Sequence, residues 1–479
     1  MKHLAFNPYL PSYEYVPDAE PRVFGNRLYI YGSHDRFGGE DFCLNDYVCW
    51  SAPLDDLGDW RCEGVIYRAS QDPKNTDGTK HMNAPDCAQG LDGRYYLYYQ
   101  LQMDVGVSVA VCDSPAGKFE FYGYVTKDGV PYGSMKGDPM GFDPGVLVED
   151  GRVWLYTGFS PLGMAAVMMK KAGIAADGSY CVELAPDMLT VLSEPKLIVP
   201  GTALAEGTDY AGHGFFEASS IRKIGSTYYF VYSSILSHEL CYATSDKPDG
   251  PFRYGGTLVS IGDVGYHGGT EATNYLGNTH GGMVELGGDW YIFYHRQTNK
   301  QKCARQACAE KLTILPDGSI PQVEVTSCGL NGGPLPAKGR YEARIACNLS
   351  SREGTFAYEK SFEPDERGVH PYFTQSGEDR ESDGDQYIAN LTDGAWCGFK
   401  YFCFDGTEKT ISLTVRGTAE SLVKVCVDRA GKPVAELAVS PSEEWREIRV
   451  ELERISGTAP LFFLYEGTGS LDFSAFEIV

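Results

Sequence analysis

No run in this 479-residue chain comes near the roughly 18 consecutive apolar residues that a membrane-spanning helix needs. A soluble protein is the expectation. Basic residues are also scarce, with 41 Lys and Arg against 65 Asp and Glu and a net charge of −24. That surplus repels phosphate backbones and anionic lipid, so nucleic acid and membrane surfaces are excluded as partners, whereas a neutral ligand such as a sugar meets no penalty. The fourteen cysteines lack the dense spacing of a disulfide scaffold. Cys112, Cys241, Cys403 and Cys426 fall inside strand-like runs and read as buried free thiols of a reducing compartment. Cys303 and Cys308 form the closest metal-like pair, but no second pair at zinc-ribbon spacing follows. The opening MKHLAFNPYLPSYEY has one Lys, no apolar core and no small-residue cleavage site, so a cytoplasmic protein is expected. P-loop, HExxH, GxSxG and kinase signatures are missing, which removes the main support for phosphoryl transfer and serine hydrolysis.

Helical periodicity is nearly absent, and without helices between strands a doubly wound α/β fold is excluded. What is present is repetition. EPRVFGNRLYIYGSHD from Glu20 reads as strand, Gly-centred turn and aromatic strand. The same grammar returns from Ala84 (APDCAQGLDGRYYLYYQ), Phe142 (FDPGVLVEDGRVWLYTG), Phe215 (FFEASSIRKIGSTYYFVYSS) and His280 (HGGMVELGGDWYIFYHRQ). Gly beside a polar residue at each turn is hairpin chemistry. Second strand pairs follow in several repeats, giving four strands per unit. Five such units predict an all-β chain whose residues 1–330 form a five-bladed β-propeller. A Gly/Pro-rich linker is expected at 331–342, and alternating strands over 343–479 predict a β-sandwich of jelly-roll type.

The remaining chemistry is carboxylate chemistry. A propeller gathers the first strand of every blade around its channel, so Asp18, Glu20, Asp86, Asp143, Glu217 and His280 should converge. Acidic groups at apolar strand starts are expensive to bury unless paired or protonated. Glu217 follows Phe215-Phe216 and precedes an apolar run, where Glu is a poor turn former. A carboxyl with raised pKa opposite an ionised one is what glycoside hydrolysis requires.

On these motifs, residues 1 to about 330 resemble glycoside hydrolase family 43, a family of five-bladed propellers with three carboxylates from blades one, three and four. The resemblance implies Asp18 as general base, with Glu20 the alternative, Asp143 as the pKa-modulating and orienting Asp, and Glu217 as general acid. It also implies that Asp86 and His280 lie at the sugar pocket, with Asn83 standing where many members carry Trp. His280 would help to hold an ion or water cluster, with Ca²⁺ likelier than zinc; no cofactor is otherwise expected. Arg305 is implied as the basic group beside substrate and carboxylates, with Arg296 the alternative. The C-terminal part resembles carbohydrate-binding module family 6, with Trp396 the natural stacking residue unless it packs against the propeller. The expected activity is inverting release of pentoses from xylo- or arabino-oligosaccharides. The rival expectation is a non-catalytic glycan-binding propeller with a lectin-like module.

Overall fold

The aromatic-rich runs pair into antiparallel hairpins where the Gly-polar turns predict them, as at Gly25-Asn26 between Glu20–Phe24 and Arg27–Tyr31. The computed structural model describes residues 2–355, 368–381 and 385–479. Met1 and the stretches 356–367 and 382–384, within the spans expected for the propeller and sandwich, lie outside the described residues. Blades one, two, three and four are four-stranded meanders whose first strands are Glu20–Phe24, Asp86–Gln89, Gly145–Glu149 and Phe215–Ile224. Blade five departs from the expected four strands and has three, Met283–Leu286, Asp289–Thr298 and Gln301–Leu312.

The five first strands pack each against the next and close into a ring. Its seam is zipped by the N-terminal segment. Asn7 exchanges side-chain hydrogen bonds with the backbone of Ala309, donating to its carbonyl and accepting from its N–H, both at 2.9 Å. Ala19 adds a parallel bridge to Gly281. A short helix, Gly163–Ala172, is inserted between two strands of blade three.

Two buried ion pairs plug the channel. Arg22 reaches Asp86 and the Val146 carbonyl, and Arg222 reaches Glu20 and the Pro21 carbonyl. Each ties strands from different blades, because a buried charge must be matched on the spot. Gly282 lies so close to Glu20 that an added Cβ would fall 2.7 Å from its carboxylate.

Among the described residues, the C-terminal part is a sandwich of two six-stranded sheets around a core that includes Phe399, Phe463, Phe473 and Phe476. The expected linker 331–342 is corrected. Leu335–Pro336 pairs with Trp396–Phe404 in one sheet, and Gly339–Glu342 pairs with Leu471–Ile478 in the other. These strands are too short to show alternation, so only their partners reveal them. Trp396 is largely buried within the sandwich, against Phe462 and under the Arg429 guanidinium. It is therefore not an open stacking platform.

The two parts share a polar seam. Lys400 is buried between Asp263 (3.2 Å) and Glu324 (2.8 Å) of the propeller. Arg296 donates to the carbonyls of Ala346 and Arg344 and lies 3.8 Å from the centre of the Phe373 ring. Arg296 is thus a joint between the parts, and burial pulls its pKa down to about 10.

Candidate active site

A cavity of about 380 Å³ opens at the channel mouth and is lined by Asp18, Asp143, Glu217, His280 and Arg305, with Phe42, Phe142, Phe159 and Phe216 among its walls. Five of the six site residues expected from sequence are therefore brought together. Asp86 is the exception. It is wholly buried, pairs with Arg22, and accepts the Val146 N–H at 2.8 Å. The difference is one of local backbone. Asp18 and Asp143 precede their blade strands with left-handed φ of 56° and 45°. Asp86 is the first residue of an extended strand and turns into the channel wall. Glu20, the alternative base, is engaged by Arg222 and does not line the cavity.

Glu217 owes its placement to a bulge. The register of blade four's first pair shifts on both sides of Glu217, and Ala218 holds a φ of 72°, a costly conformation for a residue with a Cβ. Such bulges re-aim a side chain. Blade three accommodates this one at Gly145, where a Cβ would stand 2.5 Å from the Ser219 carbonyl oxygen. That is why the FDPG turn carries glycine.

The electrostatics separate the carboxyls. Asp18 is fully buried, which raises its pKa, but the charges of Arg305 and His280 and the Ser33 hydrogen bond outweigh burial and hold it below the usual aspartate range. Arg305 donates from Nη1 to Asp18 Oδ1 at 2.8 Å, and from Nε and Nη2 to Asp35 at 2.8 and 3.0 Å. Ser33 Oγ donates to Asp18 Oδ2 at 2.5 Å. The Asp18 backbone N–H donates to His295 Nδ1 at 3.3 Å, and burial pushes that imidazole down to about 3, so it stays neutral.

Glu217 moves the other way. Burial first, then the negative charge of Asp143, raises it to about 8. Asp143 is itself raised by burial, against the pull of His280 and of the Ala218 N–H. His280 Nδ1 lies 3.4 Å from Asp143 Oδ2. Burial lowers the His280 pKa, but Asp143 overrides it and lifts the imidazolium to about 9. His280 Nε2 is buried with no partner among the described residues.

Sequence reasoning missed Asp35, Ser33 and His295. Asp35 and Ser33 sit in the polar triplet Ser33-His34-Asp35, buried after the aromatic strand Arg27–Tyr31; that abrupt change after apolar alternation was the available signal. His295 lies inside an apolar strand beside Arg296. The aromatic walls were missed as well. Asn83 stands at the cavity where Trp was sought, but Phe142, Phe159 and Phe216 form a consecutive row with centroids 4.7 and 5.4 Å apart.

Neither metal-like cysteine arrangement competes with this site. Cys303 and Cys308 are an odd number of positions apart on one strand and face opposite sides. His213, Glu239 and Cys241 cluster in blade four, but Nδ1 and Oε1 already meet at 2.6 Å, and Ser234 and Thr257 also donate to the carboxylate. That is an ion pair bracing the segment that leads to Glu217.

An ionised carboxylate and a protonated one, facing a small aromatic pocket at the mouth of a propeller channel, define a carbohydrate-cleaving acid–base site. Residues 12–320 match glycosyl hydrolases family 43, and the chain belongs to that family; it is a glycoside hydrolase. It is 50% identical, over 100% of its length and 99% of the relative's, to a xylosidase/arabinosidase of Thermoclostridium stercorarium. A solved family 43 β-xylosidase/α-arabinofuranosidase from a compost metagenome, with xylotriose and in calcium-free form, is 27% identical, with TM-score 0.52 over 67% of this chain and 98% of that one. The two-part fold is matched across 99% of this chain and 97% of the other by an arabinoxylan arabinofuranohydrolase from Bacillus subtilis, at TM-score 0.52 and 22% identity.

Proposed function

We propose that the protein is an inverting, exo-acting glycosidase that releases β-xylosyl or α-L-arabinofuranosyl units from xylo- and arabino-oligosaccharides. The observation that carries this reading is the opposed protonation of Asp18 and Glu217 across one pocket. Asp18, kept ionised, takes a proton from water as that water attacks the anomeric carbon. Glu217, kept protonated, gives its proton to the departing glycosidic oxygen. Asp143 holds Glu217 in its protonated form and keeps His280 charged beside the sugar. Arg305, seated between the carboxylates of Asp18 and Asp35, holds Asp18 in place. A cavity of about 380 Å³ lies at the small end of the roughly 300–1,000 Å³ of ligand pockets, which suits one or two sugar rings rather than a polymer. The relatives' names point to the same pentoses.

No dissociable cofactor has a step in this mechanism. His280 Nε2, together with Glu20 Oε1 and Ser220 Oγ, which likewise have no partner among the described residues, suits a water cluster or a hydrated Ca²⁺. A His280 charged up to about 9 would donate to such a water rather than ligate the ion, so the cation's contribution would be electrostatic. All fourteen cysteines are free thiols, which supports a reducing compartment and action on short oligosaccharides in the cytoplasm.

The test is turnover of an aryl β-xyloside and an aryl α-arabinofuranoside by the intact protein. A purely glycan-binding propeller would turn over neither. That rival gains nothing from a half-buried Glu217 kept protonated.

A further inference from the structure

Among the described residues, none that lines the cavity comes from the C-terminal sandwich, yet the sandwich grips the loop that forms one wall. Phe42 and Cys43 line the cavity from the irregular stretch 36–45 of blade one. Asp379 of the sandwich accepts the Phe37 N–H on Oδ1 at 2.7 Å and the Asn45 side-chain amide on Oδ2 at 3.1 Å. One carboxylate thus holds both ends of the stretch. The next residue, Arg380, donates to Glu14 at 2.8 and 3.1 Å, and Gln375 accepts the Tyr15 hydroxyl at 2.8 Å. Glu14 is fully buried, also takes the Trp50 indole N–H at 2.7 Å, and lies four residues before Asp18.

The loop is in turn wired to the chemistry. The Cys43 N–H donates to Asp35 Oδ1 at 3.0 Å, and the Asn45 amide donates to the Asp35 carbonyl at 2.9 Å. Asp35 is the carboxylate that clasps Arg305, which in turn holds Asp18. Phe42 packs its ring against the Arg305 guanidinium at 4.8 Å.

We propose that the sandwich is a working part of the active site, in which Asp379 and Arg380 are positioning residues that hold the pocket wall at Phe42 and the Arg305–Asp18 pair from outside the propeller. This rests on the glycosidase reading of the pocket. It makes the second domain a determinant of turnover rather than a detachable sugar-binding appendage, and it predicts that the sandwich tunes the subsite bordered by Phe42.

The test uses the full-length protein with Asp379→Ala, Asp379→Asn, Arg380→Met and Arg380→Lys. Asp379 is half-buried and the Arg380 side chain is 33% exposed, so these changes leave both cores intact. Two readouts are taken: hydrogen exchange of the peptide spanning 36–45, and the pH profile of kcat/KM. Asp18 is faced by Arg305, His295 and His280 and by the carboxylates of Asp35, Asp143 and Glu217, so loosening Arg305 moves its acidic limb upward. Asp379→Ala should speed exchange in 36–45, lower kcat/KM by roughly 10- to 100-fold through misplacement of the site, and raise the acidic limb. Arg380→Met should act in the same direction. Asp379→Asn, which keeps the acceptor for Phe37, and Arg380→Lys should each restore part of the activity. Unchanged exchange in 36–45 overturns the proposal, and so does faster exchange with an unchanged profile. If the wild type cleaves neither pentoside, the glycosidase reading falls, and exchange in 36–45 alone decides whether the sandwich holds the loop.

Discussion

Arg305→Met isolates the interaction on which the Asp18 assignment depends. The guanidinium sits 2.8 Å from both Asp18 and Asp35, with its side chain 3% exposed. At an effective dielectric of about 20, one such contact is worth roughly 6 kcal/mol of gross attraction. Methionine also removes the desolvation penalty of the guanidinium, so the net loss at neutral pH should be about 3–5 kcal/mol, the range for breaking a buried pair. The pH dependence gives the sign. In the wild type the Asp18 pKa is lowered on folding, so its stabilising contribution is present above the unfolded aspartate range and is lost as pH falls through the folded value. Without Arg305, burial dominates at both Asp18 and Asp35, their folded pKa values lie above the unfolded range, and the variant loses stability as pH rises toward neutrality. The gap in thermal midpoint between wild type and variant should therefore be wide at about pH 7 and narrow at about pH 4.5. Activity should follow the same groups. The acidic limb of kcat/KM should rise, so that the loss at about pH 5 exceeds the loss at about pH 8 by at least about tenfold, the effect of a 1.4 kcal/mol bias toward protonated Asp18. Arg305→Lys keeps one charge but cannot span both carboxylates, and should fall between. A variant with the wild-type acidic limb and a pH-independent midpoint gap would refute the reasoning.

Glu217→Ala should lose roughly 10²–10⁴-fold on natural xylosides or arabinosides and far less on aryl glycosides with good leaving groups, which need little protonation; equal losses on both would remove Glu217 as the acid. The wild-type kcat should also decline as pH rises through about 8, where Glu217 gives up its proton. Gly145→Ala drives a methyl against the Ser219 carbonyl, so it should destabilise by about 1–3 kcal/mol and depress kcat by displacing the Glu217 bulge; wild-type kcat would show that the bulge tolerates the shift. Truncation after Pro334 removes Lys400 and leaves buried Asp263 without its cationic partner, so it should give insoluble or strongly destabilised protein. A soluble, fully active fragment would show an independent module.

The repeats were legible because each blade returns its aromatic strand behind a Gly-polar turn, and those turns lie in the chain itself. Asp18, Asp143 and Glu217 were legible through motif order. Asp86 misled because its motif position specifies the channel but not the depth, and depth follows from whether the backbone enters the strand through a left-handed residue, as at Asp18, or already extended. The fourth strand expected of blade five is absent because the N-terminal segment, held through Asn7, takes the place beside Gln301–Leu312. Asp35 and Glu14 stayed hidden because their roles depend on Arg305 and Arg380, which are hundreds of residues away. Gly339–Glu342 read as linker because four residues carry too little alternation to declare a strand.

The central claim is that Asp18 activates water while Glu217 protonates the leaving group from across the channel, and the configuration of the first-formed product tests it most directly. Proton NMR in the first minutes of reaction, before mutarotation, should show α-xylose from a β-xyloside, or β-arabinose from an α-L-arabinofuranoside. Retention, or transfer of the sugar to added methanol with retained configuration, would reveal a covalent glycosyl intermediate and contradict Asp18 as a base.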